Sequence, residues 1–215
     1  MKFVRSKFAL VALLGLAACA QPGDFVTRTV APDTPLLQME GEGAGTLPLV
    51  RPSYTVAQLN VAVPTTLEVS EANSYKPRAD IVWRGDPMGN RYEQIETIFR
   101  DAMGAGVDGL EGERPVRVDI QVTKFHALTE RTRYSIGGTH DIHFAITVYD
   151  AETGVVIEPT RIVETELTGL GGRAAIEAEA QGQTQKVRIS AHLKNLIVEE
   201  LTAPREMVAV AQVPQ

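Results

Sequence analysis

Two stretches of strict alternation constrain this chain more than anything else in it. Ile142, Phe144, Ile146 and Val148 stand at every second position, with His143, Ala145, Thr147 and Tyr149 between them. Val116, Val118, Ile120 and Val122 do the same, separated by Arg117, Asp119 and Gln121. Period two sends successive side chains to opposite faces, so each stretch reads as a strand with one face buried and one wet. A sheet half-covered in this way needs helices for its apolar face, and the chain supplies two. Tyr92, Ile95, Phe99 and Met103 recur at spacings of three and four, with Ile98 and Ala102 beside them. Arg91, Glu93, Gln94, Glu96 and Arg100 take the other side, and Asn90 is placed to cap the helix. From about Thr184, Ile189, Leu193, Leu196, Ile197 and Leu201 repeat the helical period until Pro204 stops it.

The remaining elements are shorter. Leu59, Val61 and Val63 alternate before Pro64, and Ile81-Val82-Trp83 makes a brief second strand closed by Gly85-Asp86-Pro87. The alternation slips near Lys124-Phe125, as a bulge would make it slip. Asp150-Ala151-Glu152-Thr153-Gly154 reads as a hairpin turn, and the next strand runs from Val155, breaks at Pro159 and resumes from Arg161 to Leu167. Gly169-Leu170-Gly171-Gly172 reads as a flexible turn. The order β-β-α-β-β-β-α predicts an α+β domain: an antiparallel sheet of about four to five strands with two helices packed on one face.

Candidate chemistry is sparse. Of four histidines, His126, His140, His143 and His192, the pair His140 and His143 points to opposite faces of one strand, whereas zinc needs side chains that converge. His126 and His143 could face one another across a hairpin, which makes two ligands. No metal is expected. Asp119 and Asp141 share a sheet and could be the paired acids of a hydrolase, or ordinary charges on a wet face. Ser135 and Ser190 have no evident base. Gly169 to Arg173 hints at a phosphate cradle but lacks the lysine and hydroxyl ending of a P-loop. An apolar groove between sheet and helix, lined by Trp83 and Phe99, is a candidate lipid or partner site; core packing explains the same residues. No catalytic residue is assigned, and the expectation is a non-enzymatic protein.

The N-terminus tells more about place than about chemistry. Lys2, Arg5 and Lys7 precede an apolar run from Phe8 to Ala18. That run spans about 16 Å as a helix, half of a hydrocarbon core, so it has the form of a signal peptide rather than of a spanning helix. Cys19, the single cysteine of 215 residues, follows at once. Three of the 21 basic residues lie in this leader, so the rest of the chain carries 18 basic against 27 acidic residues, a formal charge of −9. That balance disfavours nucleic acid and anionic lipid surfaces as partners. From Gln21 to about Ser53, Pro22, Pro32, Pro35, Pro48 and Pro52 with Gly23, Gly41, Gly43 and Gly45 read as a tether, or in part as a loop packed on the domain. The expected division is a leader over 1–18, a tether over 19–53, one domain over 54–203 and a tail over 204–215.

Leu16-Ala17-Ala18-Cys19 resembles the lipobox of bacterial lipoproteins; an ordinary secretory signal with an incidental cysteine is the alternative. The resemblance implies cleavage between Ala18 and Cys19, covalent diacylglyceryl and N-acyl groups on Cys19, and no other cofactor. Ala20 and Gln21, with no aspartate after the cysteine, imply the periplasmic face of the outer membrane by the sorting pattern of enteric lipoproteins, with the inner membrane as the alternative. Lipobox, spacer, the strand ending Val61-Ala62-Val63-Pro64 and the domain order together resemble the auxiliary lipoprotein of lipid-transporting ABC systems. They also resemble an uncharacterised alphaproteobacterial lipoprotein family, a domain of unknown function. That resemblance implies a binding or adaptor role in the cell envelope, accessory to lipid transport or assembly, with an envelope protein complex such as an ABC transporter as partner. An envelope-acting hydrolase, or a structural lipoprotein that assembles with itself through an exposed sheet edge near Val116 to Val122, are the alternatives.

Overall fold

The computed structural model describes residues 49–206. Along them run β1 (Leu49–Val50), β2 (Tyr54–Ala62), β3 (Ile81–Val82), α1 (Arg91–Val107), β4 (Arg114–His126), α2 (Glu130–Arg133), β5 (Gly138–Asp150), β6 (Val156–Gly169), α3 (Gly172–Ala180), α4 (Gln185–Thr202) and β7 (Arg205–Glu206). The fold is α+β. Its main sheet has five strands in the order β2-β4-β5-β6, with β3 also on β4.

The sheet is mixed, which corrects the expectation of a purely antiparallel one. β4-β5 and β5-β6 are antiparallel, as hairpin-joined strands must be, but β2 and β3 both run parallel to β4. The reason is α1. A helix between two strands carries the chain back along the sheet, and the next strand then starts at the same end as the first. β2 and β3 share one side of β4 end to end. β2 pairs with Arg114 to Gln121, and β3 takes over at Phe125 and His126, beyond the bulge between Val122 and Lys124. β4 is therefore an interior strand, and the free edges belong to β2 and β6, so the edge expected near Val116 to Val122 is covered on both sides. Pro159 does not break β6; it falls where the β5-β6 register shifts, on an edge strand that tolerates a missing donor.

The apolar face of the sheet lies under α1 and α4. Val116, Val118, Val122, Ile142 and Phe144 are closed to solvent there, with Ile95, Phe99 and Met103 of α1 and Ile189, Leu193, Ile197 and Leu201 of α4. Asn90 caps α1 by accepting from the Tyr92 and Glu93 N–H groups, and Thr184 caps α4 by accepting from Val187. α1 runs on past the glycines that obscure its end in the sequence. A Cβ on Gly106 would lie 2.5 Å from the Lys194 carbonyl of α4, so this glycine sets the close approach of the two helices.

Arg91 departs from its expected exposed position. It is buried at the first turn of α1, where the Glu71 carboxylate accepts from its Nε and Nη2 at 2.6 and 3.0 Å and the Asp86 and Pro87 carbonyls accept from Nη1. The opposed carboxylate and an acceptor for each of its three nitrogens make that burial tolerable.

Candidate functional site

Cys19 and Ala18, with nearly all of the expected tether and residues 207–215 of the expected tail, lie outside the described residues. Trp83 and Phe99 lie inside them, and both are wholly buried. Trp83 meets Phe125 edge-on at 5.5 Å between centroids, and Phe99 meets Phe144 at 5.7 Å. The Trp83 indole N–H donates to Asp86, which also accepts from Lys186. These rings fill the space between sheet and helix, so the groove they were expected to line is closed by core packing.

The other sheet face is open and polar. Asn60, Asp119, Gln121, Thr147, Tyr149 and Thr160 line a shallow depression across β2, β4, β5 and β6. Asn60 donates to Asp119 at 2.8 Å, the Thr147 and Thr160 hydroxyls share a hydrogen bond at 2.8 Å, and the Arg117 guanidinium stacks 4.1 Å above the Tyr149 ring. Further along, Lys124 and His143 both bind Asp141, the imidazole Nε2 at 2.6 Å. Partial burial raises the Asp141 pKa, but these two partners outweigh it and hold the carboxyl below its ordinary range.

Asp119 and Asp141 do share this face, but Asp119 stands opposite Thr147, six residues along β5 from Asp141. At about 3.4 Å per residue that is about 20 Å, beyond the span of paired hydrolytic carboxyls. His126 does not face His143 either: the bulge sets His126 opposite Asp141 and His143 opposite Lys124. Among the described residues no group of three His, Cys, Asp or Glu side chains could hold a metal ion. Ser135 donates to the Arg131 carbonyl of α2.

Gly169 to Arg173 joins β6 to α3 through a short connection. Gly169 ends β6, Gly171 caps α3, and a Cβ on Gly171 would lie 2.2 Å from the Gly137 nitrogen. The glycines let two backbones touch. α3 is not among the expected elements, although its run Ala174-Ala175-Ile176-Glu177-Ala178-Glu179 has the composition of a good helix former.

Beneath α3 lies a polar part of the interior. His140, on the apolar side of β5, is 1% exposed, and its Nδ1 accepts from the Leu128 N–H at 3.3 Å. The neutral ring therefore carries its proton on Nε2. Burial, with the charges of Arg188, Arg133 and His192 nearby, pushes its pKa down to about 4. Gln185, at the start of α4, is 5% exposed with neither amide atom hydrogen-bonded, and Arg133 Nε is likewise buried without a partner. Leu128, Leu170, Ala175 and Ala178 line a small cavity between them, with Glu179, Gln183 and Arg188 also on its wall. His192, by contrast, shares a hydrogen bond of 2.7 Å with the Thr165 hydroxyl. None of these groupings is legible as a motif, because the residues come from four separate elements.

Comparison with known proteins leaves activity open. No curated protein matches the chain. Among solved structures, a Xanthomonas campestris protein of the DUF330 family is similar at 11% identity and a TM-score of 0.41, over 74% of this chain and 86% of its own. A putative lipoprotein from Caulobacter crescentus is similar at 12% identity and a TM-score of 0.32, over 66% of this chain and 86% of its own. A minor lipoprotein from Acinetobacter baumannii is similar at 12% identity and a TM-score of 0.28, over 69% and 93%. At that distance none of them speaks to function. A family model does match, over residues 54–213, which take in the whole main sheet and the four helices of the described residues, and the chain thereby belongs to a family of unknown function, DUF6778.

Proposed function

We propose that the protein is a lipid-anchored binding module of the cell envelope. The observation that carries this reading is Leu16-Ala17-Ala18-Cys19, with its lone cysteine placed directly after a basic and then apolar leader. A thioether-linked diacylglyceryl group and an N-acyl chain on Cys19 would hold the protein stably on a membrane, where a single chain would hold it only marginally. The acidic remainder of the chain fits attachment by lipid better than by surface charge. No described helix is long and apolar enough to cross a membrane.

The finer reading is an adaptor without catalytic activity that docks on an envelope protein complex, accessory to lipid transport or assembly, from the periplasmic face of the outer membrane. The open face of the sheet supports docking. It offers Asn60, Asp119, Gln121 and Tyr149 as hydrogen-bonding groups on a rigid surface, and such a surface suits a partner better than a small apolar molecule. Cys19→Ser tests the anchor: the variant is expected to lose labelling by radioactive fatty acid and to leave the membrane fraction. Unchanged labelling and membrane retention would overturn it. Asp119→Arg with Gln121→Arg, recovered by cross-linking from intact cells, tests the face: loss of the partner band is expected, and an unaltered cross-linking pattern would remove the face from the proposal.

A further inference from the structure

The cavity beneath α3 carries an inference that does not depend on the anchor. Its polar walls are unfinished. The Gln185 amide is buried with both atoms unbonded, and Arg133 Nε points into the same region without a partner. An unmet buried polar group costs about 1–3 kcal/mol, so a chain that keeps several in one place carries a standing penalty there. The free space in the closed state admits about one water, too little for every group. Gln185 Nε2 and Arg133 Nε are donors without a partner, Gln185 Oε1 is an acceptor without one, and His140 lines the same cavity with its proton on Nε2 because Leu128 holds Nδ1. The apolar part, Leu128, Leu170, Ala175 and Ala178, lies alongside.

One carboxylate already sits at this place. Glu179, in the last turn of α3, lies with Oε1 2.9 Å from Arg133 Nη1 and accepts from the Tyr134 hydroxyl at 3.1 Å through Oε2. Its fit is poor, because Oε1 is buried yet makes no hydrogen bond of sound geometry with the guanidinium. α3 is lightly held. Ala175 is its only buried residue, Ile176 is exposed, and glycines with positive φ stand at both ends, Gly172 at +54° and Gly182 at +76°.

We propose that this cavity binds the carboxylate of a small, partly apolar ligand on Arg133, Gln185 and His140, and that Glu179 occupies the carboxylate position until the ligand displaces it and swings α3 outward. Removing Glu179 with α3 frees Arg133, opens the volume the ligand needs and gives the unbonded donors an acceptor. A free short-chain acid and the C-terminal carboxylate of a peptide share this chemistry.

The test is calorimetric titration of the full chain, in a non-ionic detergent, with butyrate and with acetyl-alanyl-alanine; butanol and the peptide amide are the neutral controls. Saturable binding of one carboxylate is expected, with no binding of its neutral control; butyrate alone identifies a free acid, the peptide alone a C-terminus. Glu179→Gln is expected to tighten binding at least 10-fold, since it weakens the internal competitor, and Arg133→Met to abolish it. Gln185→Leu in the Glu179→Gln background is expected to weaken it at least 5-fold, and it decides the matter should Arg133→Met not fold. No carboxylate binding to Glu179→Gln, or binding there that Gln185→Leu leaves unchanged, overturns the proposal and leaves the cavity a water site only.

Discussion

The two ends of the interior follow opposite rules. Under α1 the space is filled by Trp83, Phe99, Phe125 and Phe144, all closed to solvent, and the one indole N–H there has its acceptor in Asp86. Under α3 a histidine and a glutamine are buried beside a half-buried arginine, the Gln185 amide and Arg133 Nε have no partner, and the covering helix contributes one buried alanine. Both regions sit on the same face of the same sheet. The first has the packing and hydrogen-bond satisfaction of a core whose task is stability. The second departs from both, and local departures of that kind concentrate where a protein binds something.

The comparison can be broken at four points. The largest effect belongs to the aromatic end. Phe99→Ala is expected to cost about 3–5 kcal/mol by chemical denaturation, the usual penalty for emptying a closed aromatic site. A loss under 1 kcal/mol would mean that this end is not the stabilising core.

The next effect belongs to His140. Its folded pKa, about 4, lies below the ordinary value of 6.5. Below 6.5 the unfolded chain takes up a proton that the folded chain refuses, so stability falls as pH falls from 6.5 and the loss is complete near 4. In full it amounts to roughly 3 kcal/mol. His126 and His192, lowered by burial, act in the same direction, so the informative quantity is the difference between the parent and His140→Asn across a pH series of urea unfolding curves. Identical pH slopes would show that His140 is not held neutral by the fold.

Two smaller effects separate global from local stability. Asn90→Ala removes the cap of α1 and is expected to cost about 1 kcal/mol in global unfolding. Gly182→Ala puts a Cβ at a φ of +76° and is expected to cost about 1 kcal/mol as well, but in the opening of α3 alone. Hydrogen exchange would show it as faster exchange across Gly172–Ala180 with α1 and α4 unmoved; a uniform change over all three helices would make α3 part of the core after all.

Much of the frame is legible in the residues. Alternation marks β4 and β5, the 3.6 period marks α1 and α4, and Asn90, Thr184 and Pro204 mark helix ends, because these signals are local and one face of each element is uniformly apolar. What is not legible is relational. Parallel pairing of β2 depends on where α1 returns the chain. Arg91 looks like a surface charge until Glu71, twenty residues earlier, is folded onto it. Trp83 and Phe99 are large and apolar in the sequence whether they line a groove or fill it. The α3 cavity draws on α2, β5, α3 and α4 at once, and no spacing along the chain encodes that convergence.

One further consequence follows from where the chain enters and leaves. Leu49 and Val50 pair antiparallel with Glu206 and Arg205, and beside that ladder Tyr54 donates to the buried Glu158, which also binds Arg205. Tension applied through the chain ahead of Leu49 therefore meets this small clasp first. Beyond it, β2 lies alongside β4 over Tyr54 to Ala62, so a pull along the strand strains its hydrogen bonds together in shear instead of peeling them one by one. A pull entering at that corner would load those hydrogen bonds in parallel, whatever lies on the other end of it.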